Sequence, residues 1–122
     1  MGTSLDLYKN FIDNIVEQRD CIYSRRVREK LLWPSTADDN LIKQNNINES
    51  LNEENREVVS QMLQDSRDSG IHDVLVYLNE QMLLNGLRIV VDGTELPVEP
   101  FGTEMFYDWV ARCDSGTWPD EK

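Results

Sequence analysis

The chain contains one histidine, His72, followed directly by Asp73. An imidazole with a carboxylate beside it is the smallest arrangement that can act as an oriented general base. That chemistry would belong to a small enzymatic or ligand-binding domain using His72 with nearby carboxylates. Adjacent residues of a helix do not face one another, so the bland alternative is an imidazole in the first turn of a helix. A single histidine also removes every two-histidine metal motif. From Asp65 to Asp73 the sequence tracks a calcium loop, with Gly70 in the sixth place. Arg67 stands where the third ligand belongs, however, and Val76 where a bidentate Glu would close the shell.

Glu53, Glu54 and Glu57 are close enough for paired-carboxylate chemistry, but three acids on a helix more simply form a solvated face. Cys21 and Cys113 sit at the edges of apolar stripes, which suits small buried hydrophobes better than reactive thiols. Two cysteines are too few for a zinc ribbon or a disulfide scaffold. The six glycines are scattered, none in a phosphate-cradling spacing. No catalytic residue, metal ligand or cofactor is therefore expected.

These residues must be held by helices. Leu5, Tyr8, Ile12, Ile15 and Val16 repeat at helical spacing behind a Thr3/Asp6 capping box. A second helical piece through Val27 and Leu31 should end near Trp33, because Pro34 pushes the preceding residue out of the helical region. Residues 34–50 are polar and rich in Asn, and show no clean period. They read as a long loop, or as a segment concealing a short helix. Ser50 and Glu53 form a second capping box, from which a helix with Leu51, Val58, Val59, Met62 and Leu63 on one face should run to Gly70. Ile71, Val74, Leu75, Leu78 and Met82 extend a further helix to Asn85-Gly86. Asp92-Gly93 then predicts a β-hairpin over about 87–98, with Pro97 confining the return strand to an edge. Thr103 caps a last helix with Met105, Phe106, Trp109, Val110 and Cys113 on its apolar face. The expected fold is a single α+β domain over 1–122, mainly α, with four to five helices and one hairpin before the C-terminal helix.

The 122 residues carry 23 acids against 12 bases, a formal net charge of −11, with a pI near 4.4. General binding to nucleic-acid backbone or to an anionic membrane is disfavoured by that field. The charge is uneven: the chain is +1 through Trp33 and −12 from Pro34 onward. The basic run Arg25 to Lys30 is short and close to acids, so its expected role is pairing within the fold. The N-terminal residues lack the pattern of a signal peptide, and Gly2 lacks the Ser or Thr at position six that acylation wants, Asp6 standing there instead. No apolar run approaches the roughly 20 residues needed to span a bilayer. A cytoplasmic location is expected, and the sequon Asn48-Glu49-Ser50 reads as chance.

Val91-Asp92-Gly93, the run Phe106-Tyr107-Asp108-Trp109-Val110-Ala111-Arg112 and the closing Trp118-Pro119-Asp120 together resemble the ending of small uncharacterised bacterial proteins grouped as domains of unknown function. The resemblance covers about a quarter of the chain and implies no activity, cofactor or site residue. The leading functional expectation is a non-enzymatic, acidic interaction domain that binds a cationic partner in the manner of an immunity protein or inhibitor. Its candidate contact residues are Glu53, Glu54 and Glu57 with Trp33 and Trp118, since tryptophans beside acids make good anchors. Self-association through apolar helix faces, giving a homodimer, is a further alternative.

Overall fold

The computed structural model describes residues 3–121; Gly2 and its acylation reading lie outside them. The elements run α1 (Ser4–Glu17), α2 (Ile22–Arg28), α3 (Asp39–Ser50), α4 (Glu53–Leu84), β1 (Val90–Val91), β2 (Thr94–Glu95) and α5 (Met105–Cys113), closed by a 3-10 turn at Pro119–Glu121. The fold is thus α+β, mainly α, with the hairpin before the C-terminal helix as expected. Contacts divide the chain into two units, Met1–Arg19 with Gly70–Lys122, and Asp20–Ser69. Helix α4 contributes its first half to the second unit and its second half to the first.

In the discontinuous unit, α1 begins at the expected capping box: the Thr3 hydroxyl accepts from the Asp6 amide and the Asp6 carboxylate accepts from the Thr3 amide. Its stripe buries Tyr8 and Ile12 against Leu75, Met82, Met105, Trp109 and Trp118. Gly86, with φ of 73°, supplies the left-handed residue that ends α4. Asp92 and Gly93 both have positive φ, which makes the tight hairpin turn that pairs Val90 with Glu95 and Val91 with Thr94. Helix α5 follows without the expected Thr103 cap. Its N-cap is Glu104, and the Thr103 hydroxyl is spent on Asp108 instead.

The Asp20–Ser69 unit departs further from expectation. Helix α2 stops at Arg28 rather than near Trp33, because Lys30 takes a left-handed conformation (φ 58°) and the Leu31 amide bonds back to the Arg26 carbonyl. Residues 34–50 are not a loop throughout: Asp38 caps the Leu41 amide and α3 runs from Asp39 to Ser50. Helix α4 starts at Glu53 with Asn52 accepting from the Asn55 amide, which displaces the expected Ser50 cap. It also runs straight through Gly70. One exposed glycine costs a helix only about 1 kcal/mol, while residues buried on either side, Ser60 and Leu75, hold the helix in place. The calcium-loop reading of 65–76 falls with this, since a helix cannot wrap an ion. No helix among the described residues is long and apolar enough to cross a membrane.

Candidate functional site: a groove and an acidic helix face in the Asp20–Ser69 unit

Arg56 organises this unit. Its side chain is buried, and its guanidinium donates to the Val27 carbonyl (2.8 Å), to the Asn48 side-chain oxygen (2.6 Å), to the Asn48 carbonyl (2.8 Å) and to the Leu51 carbonyl (3.0 Å). Helices leave their last carbonyls without internal partners, and here one cation serves the C-terminal ends of both α2 and α3. Asn48 completes the knot by donating to the carbonyls of Arg26 and Leu31. Asn45 brackets Trp33, accepting from its amide at 2.7 Å and donating to its carbonyl at 2.9 Å. A buried pair, Ser24 and Ser60, ties α2 to α4 at 2.9 Å. The sequon is therefore closed to glycosylation in the folded chain, because its Asn48 amide is buried and already bonded.

The connection from α2 to α3, held in this way, opens a groove of about 550 Å³ between α2, α3 and α4. Tyr23, Leu31, Trp33, Ile47, Val59 and Leu63 give it an apolar wall, and not one acidic residue lines it. Trp33 is fixed on three sides. Its indole N–H donates to the Gln44 side-chain oxygen at 3.2 Å, Tyr23 meets its ring edge-on at 5.7 Å, and the Arg26 guanidinium lies over its face at 3.8 Å. Arg26 donates one bond, to the Leu32 carbonyl at 3.0 Å, while its buried Nε has no acceptor.

Of the expected contact residues, Glu53, Glu54 and Glu57 are all exposed in the first turns of α4. Glu53 is engaged by Lys30 at 2.7 Å; that hydrogen bond and the Lys30 charge hold its carboxyl below the usual range. Glu54 and Glu57 make no ion pair among the described residues. The apolar stripe expected to face inward is turned. Val59 and Leu63 line the groove, but Val58 and Met62 are 55% and 63% exposed, and the inward positions belong to Arg56 and Ser60. Glu54, Glu57, Val58, Gln61, Met62 and Asp65 thus make one solvent-facing strip at helical spacing. The basic run pairs as expected in part: Arg25 with Asp20 and Lys30 with Glu53, both at 2.7 Å.

Trp118 does not join this surface. It is 4% exposed in the other unit, stacked on Phe101 with Arg112 over its ring at 4.8 Å, so, contrary to expectation, its ring presents almost no surface to a partner. His72 lies in that unit too, 3.4 Å from Asp73 and edge-on to Phe106 at 5.2 Å, and lines neither the groove nor the smaller cleft beside Lys30. Among the described residues, no three of His, Cys, Asp and Glu are grouped to hold a metal ion. Among the described residues neither cysteine is in a disulfide; Cys21 is buried and Cys113 half-buried.

Sequence reasoning passed over the buried acid of that unit. Asp108 accepts from the hydroxyls of Tyr8 and Thr103, and Asn79 links the Met105 amide to Glu99. Burial pushes the Asp108 carboxyl upward, the bonds from Thr103 and Tyr8 oppose this, and the charges of Glu104 and Glu99 add to the rise. Burial likewise raises the Tyr8 phenol. The signal available in the sequence was a polar residue at an inward position of α5, one place before Trp109.

No curated protein and no solved structure is similar enough to match the chain. A family model does match, over residues 1–120, so the kinship glimpsed in the last third runs through the helices, the groove and the hairpin alike. The chain belongs to the family of unknown function DUF6547.

Proposed function

We propose that the protein is a non-enzymatic interaction domain that binds a basic protein partner through the exposed strip of α4, in the manner of an immunity protein or inhibitor. The observation that supports this is the pairing of unused apolar and acidic groups on one helix face. Val58 and Met62 stand more than half exposed on the strip that Glu54 and Glu57 open and Asp65 closes, and among the described residues neither glutamate has an ion-pair partner. An amphipathic helix face of this kind offers apolar anchors inside an acidic frame, and a partner with Lys or Arg around apolar side chains complements both. Glu53 is a weaker contact because Lys30 already holds it, and Trp33 belongs to the groove rather than to the strip.

The test is recovery of partners from the native host at low salt, followed by affinity measurements on the purified pair. A basic partner is expected, binding more weakly as salt rises and about tenfold or more weakly to the double variant E54K/E57K. If no basic partner is recovered, or if charge reversal leaves the affinity unchanged, the proposal fails.

A further inference from the structure

We infer that the groove of the Asp20–Ser69 unit is a site for a small amphiphilic monoanion, a hydrocarbon chain ending in a carboxylate. This site is separate from the outward strip of α4 and stands or falls on its own. Its walls ask for an apolar occupant. Tyr23, Leu31 and Ile47 line the groove yet are 46%, 44% and 63% exposed, and the space of about 550 Å³ is within the range of small-molecule pockets rather than of protein interfaces.

The polar groups of the groove select the sign of the ligand's head. In a chain with 23 acids and a net charge of −11, none of the lining residues is acidic, and two are cations, Arg26 and Lys43. Among the described residues neither cation has a carboxylate partner, whereas Lys9, Arg25, Lys30 and Arg112 each pair with one. Arg26 is also held in position. Its guanidinium lies over the Trp33 ring at 3.8 Å, one nitrogen is tied to the Leu32 carbonyl, and Nε is buried without an acceptor. The Gln44 side-chain oxygen is taken by the Trp33 indole, which leaves the amide nitrogen of Gln44 as a further donor. Donors in excess and the lack of a carboxylate suit an acceptor-only head group such as a carboxylate, and repel a cation. The negative field of the whole chain penalises a dianion more than a monoanion, and it equally disfavours a second copy of this chain as the occupant.

Dodecanoate, dodecanol and dodecylammonium, each below its micellar concentration, test the idea by calorimetry and by amide and indole NMR on the full chain. Dodecanoate is expected to bind at least tenfold more tightly than either analogue and to shift the Trp33 indole and the amides of α2 and α3. K43Q, at an exposed position, and R26M should each weaken dodecanoate three- to tenfold while leaving dodecanol unchanged. Equal binding of acid and alcohol, no binding of the acid, or shifts confined to the other unit would overturn the assignment. So would a concentration-dependent dimer that moves the same α2 and α3 signals without ligand, since the groove would then belong to a second copy.

Discussion

Replacing Arg56 tests whether one buried cation holds three helices. In Arg56→Ala, four charge-assisted hydrogen bonds disappear together. Each is worth about 1.5–3 kcal/mol where water cannot substitute. The two that end on Asn48 meet this condition, since Asn48 is 7% exposed. Those to Val27 and Leu51 end on half-buried residues, where solvent can replace the lost donor. The expected loss is therefore about 3–5 kcal/mol, as for breaking a buried charged network. That is a large part of the roughly 5–15 kcal/mol that holds a typical domain folded. Arg56→Lys separates charge from geometry: an ammonium keeps the charge but cannot reach carbonyls on both sides as a planar fork does, and about 2–3 kcal/mol should still be lost. Hydrogen exchange is the appropriate assay because it reads each helix separately. The amides of α2 and α3 should exchange a hundredfold or more faster in the Ala variant. A loss below about 1 kcal/mol, or a Lys variant equal to wild type, would show that the helix ends are satisfied some other way.

Two further outcomes follow from the same physical reasoning. Gly70→Ala should raise stability by about 0.5–1 kcal/mol in urea denaturation, because Gly70 is an exposed mid-helix residue whose added methyl would meet nothing within 4 Å. Asp108 should impose a falling stability as pH rises. Its folded-state carboxyl titrates above its unfolded value, so the native chain holds this proton more tightly. The stabilisation is complete below the unfolded value and disappears as pH climbs through the folded one. Urea midpoints of wild type minus Asp108→Asn, taken from about pH 4 to about pH 7, should decline with pH, and a flat or rising difference would refute the sign.

What could be read in the sequence was whatever rested on short-range chemistry. The Thr3/Asp6 box, the left-handed Gly86 and the Asp92-Gly93 turn are each fixed by two or three neighbouring residues, and each stands where its residues placed it. Helix α3 was obscured because what it buries is polar: Asn45 and Asn48 face inward to satisfy the backbone of the α2–α3 connection, so no apolar period exists to be seen. The same cause turned the α4 stripe. Arg56 and Ser60 occupy inward positions that a hydrophobicity pattern gives to Val58 and Met62. The acids of α4 were visible, but the groove beside them was not, since Arg26, Trp33 and Lys43 come together only through the fold. Charge shows a similar limit. The −12 tail of the linear chain divides differently in three dimensions: Asp20–Ser69 holds seven of the twelve bases and ten of the acids, a net −3, and the other unit holds −8.

The interleaving of the two units has a consequence for the order in which the chain can fold during synthesis. The bonds that tie α2, α3 and the start of α4 together in the Asp20–Ser69 unit span short stretches of chain: 29 residues from Val27 to Arg56, 36 from Ser24 to Ser60 and 42 in the weak thiol contact of Cys21 with Leu63. Helix α1, by contrast, is fastened by Tyr8 to Asp108, Asp13 to Arg112 and Lys9 to Asp120, separations of 100, 99 and 111 residues. Closing such a span costs entropy that grows with the logarithm of its length, and it cannot begin before the far partner has left the ribosome. The inserted unit is thus free to form while α1 waits with Tyr8 and Ile12 uncovered. Leu75 and Met82 give part of their shelter, but it is complete only once Met105, Trp109 and Trp118 have followed, so removal of the segment from Met105 to Trp118 should uncover α1, about a hundred residues away in sequence.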